Sequence, residues 1–152
     1  MAGPIDWTTT VLCTDADLRE FETDVLQWLG GEGSASKWRN KAKDLIAQRM
    51  DLRLKDIEIA TDIDDVKDLI GNPAVLKDAA CYRSLHLIAN DVSQATGDLY
   101  DRKAQMYLAL YEQEIEIAAG LLHIDIDESG AIDEDTGEMY AAPTGVRLKH
   151  GG

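Results

Sequence analysis

The chain is short of several things. It carries one Phe, three Pro and two Cys in 152 residues, and no apolar run approaches the roughly 18 residues that a membrane-spanning helix requires. No membrane segment is expected. The first residues, MAGPIDWTTT, lack the basic start and continuous apolar stretch of a secretory signal, so an intracellular protein is expected. Cys13 and Cys81 stand alone, with no CxxC pair and no ring of histidines. Each is expected as a small buried hydrophobe, with little room for a thiol nucleophile or a disulfide in a reducing compartment.

Catalytic patterns are missing too. His86, His123 and His150 fall in separate segments, and no Ser or Cys sits in a nucleophile elbow. Gly30-Gly31-Glu32-Gly33 lacks the lysine and the preceding strand of a phosphate-binding loop. The reading therefore nominates no catalytic residue and no cofactor, and does not expect an enzyme.

Positive charge is scarce: 29 acids face 15 bases, for a net charge of −14. That balance argues against a general nucleic-acid binder, whose affinity comes from neutralising phosphates. The bases are clustered, however. Between Ser36 and Lys55 there are seven (Lys37, Arg39, Lys41, Lys43, Arg49, Arg53, Lys55) against two acids, whereas from His123 to the end there are seven acids against two bases, Arg147 and Lys149. Opposed fields of this kind orient one copy on another. Candidate oligomer or partner-contact residues are thus Lys37, Arg39, Lys41, Lys43, Arg49, Arg53, His123, Asp125, Asp127, Arg147 and Lys149.

What remains is helical patterning. One domain of this length buries roughly 70% of the surface its unfolded chain exposes. Thr14-Asp15-Ala16-Asp17 has the form of a capping box, followed by Leu18, Phe21, Val25, Leu26 and Leu29 at helical spacing until Gly30 stops it. Ser34 or Ser36 caps a second helix with Trp38, Ala42, Leu45, Ile46, Arg49 and Met50 inward. A short third helix is expected from Thr61 or Asp62 to Ile70, ended by a left-handed Gly71. Asn72-Pro73 opens a fourth that runs to about Gln94. After Thr96-Gly97-Asp98 a fifth runs to about Ala119, with two apolar stripes: Leu99, Met106, Leu110, Ile117 and Leu121, and beside it Tyr100, Tyr107, Tyr111 and Ala118. The tyrosine stripe is read as core, and Leu110 as the centre of the wider buried face. Helices four and five should form an antiparallel hairpin covered by the first two.

Beyond Gly120 the period changes to alternation, with His123 to Asp127 and Ala131 to Asp133 as strands about a Glu128-Ser129-Gly130 turn. The expected architecture is mainly α: a bundle of four to five helices with a long antiparallel hairpin and a C-terminal β-hairpin arm. Its divisions are an N-terminal arm at 1–13, the bundle at 14–121 and the arm and tail at 122–152.

Asp125-x-Asp127-x-Ser129-Gly130-x-Ile132-Asp133 matches the first nine positions of an EF-hand loop. Position twelve, where a bidentate Glu closes the cage, is Thr136. Asp125, Asp127, Ser129 and Asp133 are the candidate metal ligands, yet the favoured reading is a turn whose side chains cap their own backbone. A calcium-responsive binding module is the alternative function.

The element order resembles the head-to-tail connector, or adaptor and head-completion, proteins of tailed bacteriophages. The resemblance rests on Thr14-Asp15-Ala16-Asp17-Leu18, on Val75 to Tyr82, and on Leu122-His123-Ile124-Asp125-Ile126-Asp127-Glu128-Ser129-Gly130. It implies a virion neck protein, assembled in the bacterial cytoplasm. Its copies would form a ring, commonly twelve-fold, under the portal protein. That ring would extend the channel through which genomic DNA passes without specific binding, and would dock the next neck or tail protein.

Because the Asp125 to Asp133 loop lacks its closing carboxylate, calcium at about 1 mM should leave the melting temperature and helix content unchanged beyond a non-specific charge effect. A saturable one-site shift at micromolar calcium in a thermal melt contradicts this.

Overall fold

A computed structural model describes residues 5–30, 33–54 and 66–124. Five α-helices follow in order: α1 (Asp15–Phe21), α2 (Val25–Trp28), α3 (Ser36–Leu54), α4 (Lys77–Val92) and α5 (Leu99–Ala119). The described residues hold no named strand. The C-terminal hairpin expected from residue 125 onward, the candidate ligands Asp125, Asp127, Ser129 and Asp133, and Arg147 and Lys149 lie outside them.

The capping box forms as expected. Thr14 Oγ1 accepts from Asp17 N at 3.2 Å, and the Asp17 carboxylate accepts from Thr14 N at 2.9 Å. The helix it opens stops early, however. Glu22 takes an extended backbone, φ −136 and ψ 97, and the stretch expected as one helix to Leu29 divides into α1 and the single turn α2. The reason is tertiary. The Glu22 carboxylate accepts from Lys103 Nζ at 2.7 and 2.8 Å and from the Tyr107 hydroxyl at 2.7 Å, all on α5. Gly30, at φ 67, ends α2 in the left-handed region.

α3 buries Trp38, Ala42, Ile46, Met50 and Leu54 at a strict four-residue spacing, a stripe that lies against α4. The Trp38 indole donates to Asp91 Oδ2 at 2.7 Å and fixes the α3–α4 pair. Residues 66–69, the described part of the expected third helix, form a 3₁₀ turn. Gly71 is not its left-handed stop. Instead Ile70 makes an antiparallel bridge with Ile124, Gly71 N donates to His123 O at 2.8 Å, and Ile5 N donates to Ile70 O at 2.7 Å. Asn72 precedes Pro73 as expected, but its side chain does not cap. It reaches across to the segment that follows α5, donating to Leu121 O and accepting from His123 N, each at 2.8 Å. Leu122, His123 and Ile124 are all buried. The body of the protein therefore includes residues 122–124, three positions past the boundary expected from the change of period.

α4 and α5 form the long hairpin. His86 Nδ1 contacts Ala104 O at 2.9 Å, and the Tyr82 and Tyr107 rings stack 6.2 Å apart between centroids. Burial first, and then the nearby charge of Asp78 on α4, push the Glu114 carboxyl above its ordinary value. The partner number rises as the α4 number falls, which is antiparallel register. Leu85, Ile88 and Ile115 are completely buried in this seam, and each contributes roughly 1.5–3 kcal/mol relative to exposure. The turn is closed by Asp98. Its carboxylate accepts from Asp101 N at 2.7 Å, Gln94 N at 2.9 Å, Ala95 N at 3.2 Å and the Ser93 hydroxyl at 2.9 Å, while Gly97 supplies the required φ of 84.

The two stripes of α5 have separate fates. Tyr107, Tyr111, Ile115 and Ala118 are buried, so the tyrosine stripe is core. Leu99, Met106, Ile117 and Leu121 are 47–54% exposed, and Leu110 is only half-buried. The expectation that this second stripe is buried fails, because α4 is the one helix packed closely along α5 among the described residues and it covers a single face.

Two measurements check this packing. Ile88→Ala should cost about 2–5 kcal/mol in a urea melt, whereas Met106→Ala should stay within about 0.5 kcal/mol. A larger cost at Met106 than at Ile88 contradicts the assignment. The hydrogen bonds from Asp101, Gln94, Ser93 and Ala95 hold the Asp98 carboxyl at about 2, below its ordinary 3.8. Its stabilisation is then full above pH about 4 and is lost as pH falls toward 2. Wild type should lose more stability over that window than Asp98→Asn. Parallel pH curves for the two count against it.

Candidate interaction surface

The basic residues of α3 are mostly committed inside the subunit. Arg39 Nε donates to Asp15 Oδ1 at 2.8 Å and its Nη1 to Cys13 O at 3.2 Å, and Lys43 Nζ donates to Thr10 O at 3.0 Å. Both tie the N-terminal segment to α3. Arg49 meets Glu112 at 3.0 Å and Glu116 at 3.4 Å, and Arg53 meets Glu116 at 2.8 Å, clamping the end of α3 to α5. These pairs are partly exposed and each contributes no more than about 0.2–1 kcal/mol. The outer face of α3 keeps Lys37 and Lys41, beside an exposed Leu52. Lys37 Nζ lies 5.2 Å from the ring of its neighbour Trp38. Of the candidate contact residues within the described part, Lys37 and Lys41 are the exposed ones. His123 is buried in the body at 6% exposure. The clustering of bases was legible in the sequence, but their partners, from Thr10 to Glu116, were not.

Among the described residues, no group of three or more His, Cys, Asp or Glu is placed to hold a metal ion, and no described helix is long and apolar enough to cross a membrane. The His86 ring is tied to the hairpin backbone. A polar cluster between distant segments joins Glu22 with Lys103 and Tyr107, where Lys103 Nζ also lies 4.9 Å from the Trp28 ring. Burial first, and then the bond to Glu22, push the Tyr107 hydroxyl well above its ordinary value. Every donor there faces a partner, which makes the cluster a strut between the α1–α2 corner and α5.

The surface with unmet chemistry is α5. Leu99, Lys103, Met106, Leu110, Gln113 and Ile117 recur at alternating four- and three-residue steps, and Leu121 extends the line. This is the seam of a helix prepared to meet another helix, with Gln113 as its exposed polar position, whereas Lys103 is engaged by Glu22. It runs along most of the 21-residue helix and is edged by Arg102, Gln105 and Ala109, all exposed. A contiguous apolar line with a polar rim on a soluble surface is the usual mark of a contact site. Its sequence signal was present, since Leu99 to Leu121 already stood out as a stripe.

No family model matches the chain, and no curated protein or solved structure does so.

The strut gives a direct test. Glu22→Ala leaves Lys103 and the Tyr107 hydroxyl without their acceptor, at a cost of about 1–3 kcal/mol in chemical denaturation. Arg49→Ala, by contrast, should cost under about 1 kcal/mol and less still in high salt. Equal effects of the two substitutions contradict the distinction between strut and surface clamp.

Proposed function

We propose that this chain is a structural assembly protein of the head-to-tail connector type, and that the α5 seam is the surface through which it assembles. The observation that carries the reading is the exposure of Leu99, Met106, Ile117 and Leu121 along one edge of the longest helix. A packed helical body that leaves such a line uncovered is suited to contact with another chain. In the proposed assembly, copies form a ring beneath the portal protein of a tailed phage, commonly twelve-fold. The ring extends the DNA channel and offers a platform to the next neck or tail protein.

A closed ring requires each subunit to present two different complementary surfaces. The α5 seam supplies one. The outer face of α3, with Lys37, Lys41 and Leu52 exposed, is available as the other, in a subunit whose overall charge is strongly negative. Because most α3 bases are engaged within the subunit, the apolar seam carries the contact energy and the charges contribute orientation. The acidic balance also suits a conduit, since each neutralised phosphate would add affinity that slows the passage of DNA. Residues from 125 onward, with their excess of acids, are the proposed reach toward the portal or a neighbouring subunit. A truncation that tests this keeps Leu122, His123 and Ile124, because these belong to the buried body.

Replacing Leu99, Met106, Ile117 and Leu121 together by Gln should leave the thermal melt of the isolated chain close to wild type, since all four side chains are at the surface. The same variant should fail to complete necks when added to heads lacking the protein, as judged by imaging of the portal vertex. Complete rings built from the variant would remove α5 from the mechanism, and an equivalent collapse of the melt would make the stripe core after all.

A further inference from the structure

Cys13 and Cys81 are far apart in the chain and adjacent in the fold. Cys13 lies in the segment before α1 at 3% exposure, and Cys81 lies in α4 at 0%. Cys13 Sγ is 3.8 Å from the Ser84 hydroxyl, which is one turn along from Cys81 and is itself tied to Ala80 O at 2.7 Å. The two thiols also interact directly, sulfur with sulfur. The pair is unequal. The contact with Cys81, aided by Ser84 and by the charge of Arg39, holds the Cys13 thiol below its ordinary value despite burial. The same contact, together with burial, pushes Cys81 upward. Cys13 borders a small cleft whereas Cys81 is fully enclosed, so Cys13 is the sulfur that an outside disulfide meets first, and its thiolate is the nucleophile of disulfide exchange. The cleft is lined by Thr10, Val11, Leu12, Arg39, Asn40 and Lys43.

We infer that Cys13 and Cys81 form a reversible disulfide, a redox staple that fastens the N-terminal segment to α4, with a small disulfide such as oxidised glutathione as the oxidant. The Cys13 thiolate attacks one sulfur of the oxidant, and the first glutathione thiolate leaves and takes up a proton. Cys81 then loses its proton and attacks Cys13 Sγ of the mixed disulfide, expelling the second glutathione. Two protein thiols are oxidised and one small disulfide is reduced to two thiols. The bond locks a segment already held by Ile5 on Ile70 and by the Trp7 indole on Lys67 O at 3.2 Å. It joins residues that are already neighbours, so its main effect is to restrict the unfolded chain. This inference does not depend on the connector reading.

The test is to incubate the full chain with oxidised glutathione, quench in acid, denature, alkylate and weigh. The expected product is a monomer lighter by two hydrogens, with no glutathione attached and no site left to alkylate. Reduction with dithiothreitol should restore both sites. The oxidised form should melt about 5 °C or more above the reduced one. Cys81→Ala should stop at a glutathione adduct on Cys13, and Cys13→Ala should take up none. Where a variant fails to fold, peptide mapping of oxidised wild type decides alone, through a Cys13 to Cys81 linked peptide. Two alkylatable thiols after oxidation, a lasting adduct on Cys13 in wild type, or a disulfide-linked dimer each overturn the inference.

Discussion

The antiparallel pairing of α4 with α5 is the constraint on which the rest of the body depends, because α1, α3 and the turn at 73–76 are each placed by contact with one of these two helices. α3 lays its Trp38 to Leu54 stripe on α4 and reaches α5 through Arg49 and Arg53. The α1–α2 corner is held by Glu22 against Lys103 and Tyr107 of α5. The ends of the chain's described body meet at Ile70, between Ile5 and Ile124, and Asn72 joins that junction to the end of α5. The hairpin is in turn set by one residue, Asp98, whose carboxylate gathers three backbone amides and a hydroxyl at the turn.

This arrangement explains why α5 has a bare edge. A helix packed along one main neighbour buries one broad face, and in α5 that face, turned to α4, is filled by Tyr107, Tyr111, Ile115 and Ala118. The Leu99 to Leu121 line lies to one side of it, beyond the reach of both α3 and α4. No rearrangement is needed to offer it to a second chain. The polar interruption at Gln113 fits the same picture: an isolated polar group in an apolar seam restricts register and partner at some cost in affinity.

Much of the helical framework was legible in the sequence because its signals are local. Thr14 with Asp17, Gly30, Gly97 and Asp98 each dictate a backbone conformation within a few residues, and the structure places a cap or a stop at each. The failures share a different cause. Periodicity gives the angle between two stripes of a helix but not which one faces inward, so the line through Leu110 was read as core when Tyr107 and Tyr111 had already filled that role. The break at Glu22 is invisible locally, since its partners lie some eighty residues away on α5. The bases of α3 read as a free face for the same reason. Arg39, Lys43, Arg49 and Arg53 each find an acid or carbonyl on a distant segment, and Ile124, in the stretch expected as an arm, bridges Ile70.

The claim at the centre of this account is that the α5 seam becomes covered when the protein assembles, and methionine oxidation reports on it directly. Met106 sits in the seam at 47% exposure, while Met50 lies in the core at 1% and serves as the internal control. Brief peroxide treatment of the free chain, followed by peptide mass analysis, should oxidise Met106 well ahead of Met50. In the assembled neck the account predicts that Met106 becomes protected to about the level of Met50. Equal oxidation of Met106 in the free and assembled protein would contradict it.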